Sequence, residues 1–99
     1  MRRFGALLAV PLLLPAGAAQ AQAPDAALLS GGCQGCHGVT GQAGHGVPTI
    51  ARQHSRAEFV QIMQAFQANQ RPATVMGRIA RGYTEAEIAA LAAHYARPE

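Results

Sequence analysis

Two cysteines three residues apart, with a histidine directly after the second, form the stretch Cys33-Gln34-Gly35-Cys36-His37; the chain has no other cysteine. Three chemistries use such a group: thiol–disulfide exchange, structural zinc, and covalent attachment of haem. A C-x-x-C-H run is the attachment signature of c-type haem. Two thiols three apart near a helix end can add to the two vinyl groups along one porphyrin edge, and the next residue brings an imidazole to the iron. A redox dithiol of the thioredoxin type belongs in a βαβ context, and no strand pattern occurs here. A structural zinc site needs four ligands. The other histidines, His45, His54 and His94, lack the spacing of a zinc finger. The residues therefore point to one covalent haem c on Cys33 and Cys36, with His37 as an iron ligand.

The candidates for a second axial ligand are Met63, Met76, His45, His54 and His94, with an open position as the alternative. Met63 falls inside an apolar stripe and reads as core. Met76 lies between Pro72 and Gly77, where irregular backbone is free to turn a thioether onto the iron. His94 falls off the apolar face of its helix, and His45 and His54 flank a loop, which reads as polar surface. Met76 is the expected ligand, giving the Met/His pair of electron-carrying haem proteins. A pocket lined by Val47, Ile50, Phe59, Met63, Ile79 and Leu91 is expected around the group.

The elements that must position these residues are helices. Pro24 and Asp25 suit a first helical turn, opening a helix that runs on towards Cys36. Residues 38–54 are a long loop with four glycines and Pro48, a length more typical of a segment wrapped around something. Ser55-Arg56-Ala57-Glu58 is a capping box, and Phe59, Ile62, Met63 and Phe66 follow as one apolar stripe to about Asn69. Residues 72–83 are short and punctuated. A second capping box, Thr84-Glu85-Ala86-Glu87, opens a helix that carries Ile88, Leu91, Ala92 and Tyr95 on one face to about Ala96. The class is all-α, with three main helices and long loops.

Residues 1–21 read as a signal peptide: Arg2 and Arg3, an apolar run from Phe4 to Leu14, then small residues. The run is shorter than the ~20 residues that span a bilayer, so a cleaved, periplasmic protein without stable membrane insertion is expected. Residues 22–99 form one domain, at a size where a side-chain core alone is marginal. Two cysteines cannot supply a disulfide framework, so the missing staple agrees with a large buried cofactor. The formal charge of +3 for the whole chain falls to +1 once Arg2 and Arg3 leave, and there is no lysine. Nothing in that balance suggests a nucleic-acid partner.

In this order of parts the chain resembles a class I cytochrome c, over nearly all of residues 22–99. Within that family "CQGCHGVTG" and "TVMGRIARGYTEAEIAALAAHYA" resemble the single-haem cytochrome subunit of flavocytochrome c sulfide dehydrogenase. The resemblance implies Met76 as distal ligand and Pro48 as the loop proline whose carbonyl orients the His37 ring. It also implies a flavoprotein partner that performs the chemistry, while this chain, itself no enzyme, passes electrons to other redox proteins. A free-standing shuttle and a haem-based ligand sensor are the alternatives.

Overall fold

The computed structural model describes Met1, Gly5, residues 10–13, Gly17 and residues 22–99. The expected signal segment, residues 1–21, lies for the most part outside the described residues. Among these described residues there are five helices: α1 Ala26–Leu29, α2 Gly31–His37, α3 Arg56–Gln67, α4 Met76–Ala80 and α5 Glu85–Tyr95. The connections between them carry no strand, only an isolated bridge between Gly44 and Val47. The protein is all-α, as expected. Among the described residues no helix is long and apolar enough to cross a membrane.

Two differences from the sequence expectation concern the first helix and the segment over 72–83. The first helix starts at Ala26, because Asp25 is its N-cap and accepts from the Ala27 and Leu28 amides. It is interrupted at Ser30, whose buried hydroxyl donates to the Ala27 carbonyl. The second difference is α4, which is a short helix where irregular backbone is expected; Met76 is its first residue. Pro72 and residues 73–75 remain extended or bent before it.

Both capping boxes form in full. Ser55 accepts from the Glu58 amide while Glu58 returns to the Ser55 amide, and Thr84 and Glu87 do the same for α5. These contacts hold both carboxyls below the usual carboxylate range, the backbone hydrogen bond being the largest cause in each. Helix α5 packs on α3 and α1, and α4 packs on α3. Their shared core is Phe59, Met63, Ala80, Ile88, Leu91, Ala92 and Tyr95. The Phe59 and Tyr95 rings stack at a centroid distance of 6.0 Å.

The loop over 38–54 is tied back to this core. Gly41 accepts from the Ile50 and Ala51 amides at 2.8 and 3.1 Å, and the Arg52 amide donates to the Tyr95 carbonyl at 2.7 Å. Gly41 has φ of 75°, and a Cβ there would stand 2.9 Å from the Tyr95 ring. Only glycine meets both demands, so the loop seats directly on α5.

Candidate functional site

Helix α2 carries the three sequence-predicted residues on one face. Cys33 and Cys36 are one helical turn apart, and His37 lies four residues after Cys33, so all three share a side. Three of the seven α2 residues are glycine, each costing about 1 kcal/mol in helix propensity against alanine. The helix therefore depends on its surroundings. One glycine has a local reason: a Cβ on Gly32 would lie 2.5 Å from the Tyr83 hydroxyl, so the chain passes α2 close under that ring.

His37 is buried. Its Nδ1 donates to the Pro48 carbonyl at 2.7 Å. That bond fixes the tautomer, because a carbonyl can only accept; Nε2 is left with its lone pair, the form a metal ligand needs. The backbone reinforces the approach, since the Ala43 amide donates to the His37 carbonyl at 2.7 Å. The glycine-rich loop thus serves to bring Pro48 against the His37 ring.

Cys33 is half-buried and packs against the core, whereas Cys36 is exposed. As a free thiol, Cys33 is pushed up by burial, against the hydroxyls of Tyr95 and Tyr83 that pull it down. Burial raises both of those tyrosines as well. The Tyr95 hydroxyl is buried with no hydrogen-bond partner of good geometry, beside Ser30 and Cys33.

Met76 is half-buried at the start of α4 and packs against the core. Its helix is held by Gln67, the last residue of α3, whose side-chain amide donates to the carbonyls of Ala80 at 2.8 Å and Tyr83 at 3.0 Å. Sequence reasoning missed Gln67, and no local signal marks it: the contact joins two elements that sequence alone does not bring together.

These residues converge on one cavity of about 320 Å³. Cys33, Cys36, His37, Pro48 and Met76 line it, as do Val47, Ile50, Phe59, Met63, Ile79 and Leu91. All six of the expected apolar lining residues are among them. Met63 is at once core and pocket wall. Of the other ligand candidates, His45 is an exposed loop residue and His94 is exposed on α5. His54 departs from the expectation of a surface residue: it is half-buried, lines the cavity, and sets its Nδ1 3.8 Å from Glu58. A second, larger cleft of about 440 Å³ is lined by Arg52, Arg56, His94 and Arg97 among others, and contains none of the expected ligands.

The donor set fits a covalently held haem. Two thiols on one helix face, an imidazole with Nε2 free, a thioether and apolar walls are the groups such a macrocycle needs. It does not fit structural zinc: among the described residues no three His, Cys, Asp or Glu side chains gather to hold a metal ion.

Comparison with known proteins agrees with this chemistry. The family model for cytochrome c matches residues 22–95. The chain is 34% identical over 103 aligned positions to the cytochrome subunit of sulfide dehydrogenase from Chlorobaculum tepidum, with 90% of this chain and 92% of that protein covered.

Proposed function

The chain belongs to the cytochrome c family, electron-transfer proteins with covalently bound haem, and from that premise we propose that it is a periplasmic electron carrier holding one haem on Cys33 and Cys36 with His37 and Met76 as axial ligands. The observation that carries this reading is the cavity in which those four side chains meet. When bound, the haem supplies one-electron iron chemistry. The chain supplies the rest. Cys33 and Cys36 tether the group to α2. Pro48 holds the His37 ring in the tautomer that leaves Nε2 available. Met76 offers a sulfur that favours the ferrous state and raises the potential. Phe59, Met63 and Leu91 keep water from the wall behind it, and such burial disfavours the extra charge of the ferric form. Were His37 and Met76 both to hold the iron, no site would be left for a substrate, and the group would supply electron transfer alone.

The relative points to a sharper role, the cytochrome subunit of a sulfide dehydrogenase, and the sequence resemblance adds a flavoprotein partner from which it would take electrons. The extent of that match supports it, since it runs over nine-tenths of both chains. Residues 1–21 would direct export to the periplasm and be removed. The test is purification of the exported protein from its own periplasm, with flavin assayed in the same fraction and haem reduction followed on adding sulfide. A co-purifying flavoprotein and sulfide-dependent reduction that needs it are expected. Haem protein free of flavin at every step, and unreduced by sulfide when the flavoprotein is restored, would make it a free-standing shuttle.

A further inference from the structure

We infer that Tyr95 and Tyr83 are positioning residues that donate their hydroxyl protons to the sulfur of Cys33 and make the two points of haem attachment unlike; this rests on the haem reading of the cavity. Addition of a thiol to a vinyl group breaks the S–H bond, forms a C–S bond and leaves the thiol hydrogen on the neighbouring vinyl carbon. The product sulfur keeps two lone pairs and no proton, so it can only accept. Any polar neighbour bonded to that sulfur must therefore be a donor.

Tyr95 supplies one donor. Its ring is buried in the core, stacked on Phe59 and met edge-on by His94 at a centroid distance of 4.8 Å, so the position of its oxygen is fixed. That hydroxyl is buried without a partner, a state native proteins rarely keep. Its polar neighbours are Ser30, Cys33 and Tyr83. The Ser30 hydroxyl is already engaged twice: it donates to the Ala27 carbonyl at 2.7 Å and accepts from the Gln34 side-chain amide at 3.1 Å. Tyr95 does not line the cavity, so it meets the sulfur from the core side and acts on the haem through Cys33 alone. Tyr83 comes from the other side. Its hydroxyl is seated over Gly32, the residue before Cys33, so closely that a Cβ there would stand 2.5 Å away. Gln67 grips the Tyr83 carbonyl at 3.0 Å, which holds this residue at the cavity wall that it shares with Gly32 and Cys33. Two lone pairs on one sulfur match two hydroxyl protons. Cys36, by contrast, is exposed and open to solvent.

The sign of the effect follows from the dipoles. Each O–H directs its positive end at the attachment edge, which favours the form of the haem that carries the extra electron. Removing a hydroxyl lowers the potential. For Tyr95→Phe, which deletes the hydroxyl and keeps the ring, the expected fall is about threefold in the ferrous-to-ferric ratio at a fixed ambient potential, which is about 28 mV for one electron. Tyr83→Phe should shift the ratio the same way by less, since Tyr83 is only half-buried. The experiment is spectroelectrochemical titration of the haem-loaded wild type and both variants, with the methionine-to-iron charge-transfer band read in the same samples and expected to be unchanged. Proton NMR of the ferrous wild type should show a slowly exchanging Tyr95 hydroxyl proton in contact with the Cys33 methylene and the haem substituent bonded to its sulfur, a readout independent of whether a variant assembles. An unshifted Tyr95→Phe, a shift that comes with loss of the band, or a Tyr95 hydroxyl proton in contact with Ser30 and not with the thioether overturns the inference. Wild-type protein without covalent haem instead removes the reading beneath it, and haem staining of a denaturing gel separates the two failures.

Discussion

Replacing Gln67 tests how Met76 is held. The Gln67 side-chain amide is the direct tie between the end of α3 and the far end of α4, and both of its protons are committed, one to Ala80 and one to Tyr83. Each such bond contributes about 1 kcal/mol net, so Gln67→Ala should cost about 2 kcal/mol. In a domain of this size that lowers the melting temperature by roughly 8–16 °C, at 4–8 °C per kcal/mol. Gln67→Glu is the sharper variant. It has the same shape, but an ionised carboxylate can only accept, so it sets negative oxygens against two carbonyls. It should be less stable than Gln67→Ala at neutral pH and recover part of the difference as acid protonates it. The assay is urea denaturation of the haem-loaded protein, read by far-ultraviolet circular dichroism and by haem absorbance. Because α4 begins with Met76, a loosened α4 should also admit carbon monoxide to the ferrous protein faster than wild type. A loss below about 0.5 kcal/mol for Gln67→Ala, the range of a neutral surface change, would refute the reasoning. So would a Gln67→Glu variant as stable as Gln67→Ala at neutral pH.

Three further outcomes are expected. Gly41→Ala should destabilise more than an ordinary glycine-to-alanine change, since it meets both a left-handed φ and the Tyr95 ring; calorimetry showing a rise in melting temperature would contradict the seating of the loop on α5. Met63→Ala should cost about 2–5 kcal/mol as a core truncation while leaving the iron's ligand spectrum nearly unchanged, checked by denaturation and absorbance together. The depressed carboxyls of Glu58 and Glu87 contribute stability that is in place above the usual carboxylate value and is lost as pH falls through their lowered folded values. Denaturation midpoints should therefore decline with acid across and below pH 4.5, less steeply in the double variant Glu58→Gln, Glu87→Gln.

What was legible in the sequence is local. The two capping boxes need only residues three apart, and both formed as read. The apolar faces of α3 and α5 need only helical periodicity, and Phe59, Met63, Ile88, Leu91, Ala92 and Tyr95 are indeed buried. The attachment run depends on spacing within five residues. The parts that escaped are set by contacts between distant segments. The Gln67 tie joins α3 to carbonyls 13 and 16 residues on. The close approach of Gly32 to Tyr83 leaves no mark in either stretch. Helix α4 is too short to show periodicity, and its N-cap is Val75, which offers no side-chain hydrogen bond; packing on α3 and the Gln67 tie make it helical. His54 looked like a surface loop residue because nothing in its neighbourhood shows that the chain turns it to the cavity.

The most direct test of the account is the coordination of the iron. Mature protein, freed of non-covalent haem by acid–acetone, should keep its haem on the chain. In its native ferric state it should show the methionine-to-iron charge-transfer band, and in its ferrous state it should refuse carbon monoxide at neutral pH. Met76→Ala should abolish the band and admit carbon monoxide, while Met63→Ala should do neither. Rapid carbon monoxide binding by the unaltered ferrous protein, or a band that survives Met76→Ala, would contradict the assignment of Met76 and with it the reading as an electron carrier with both axial positions filled.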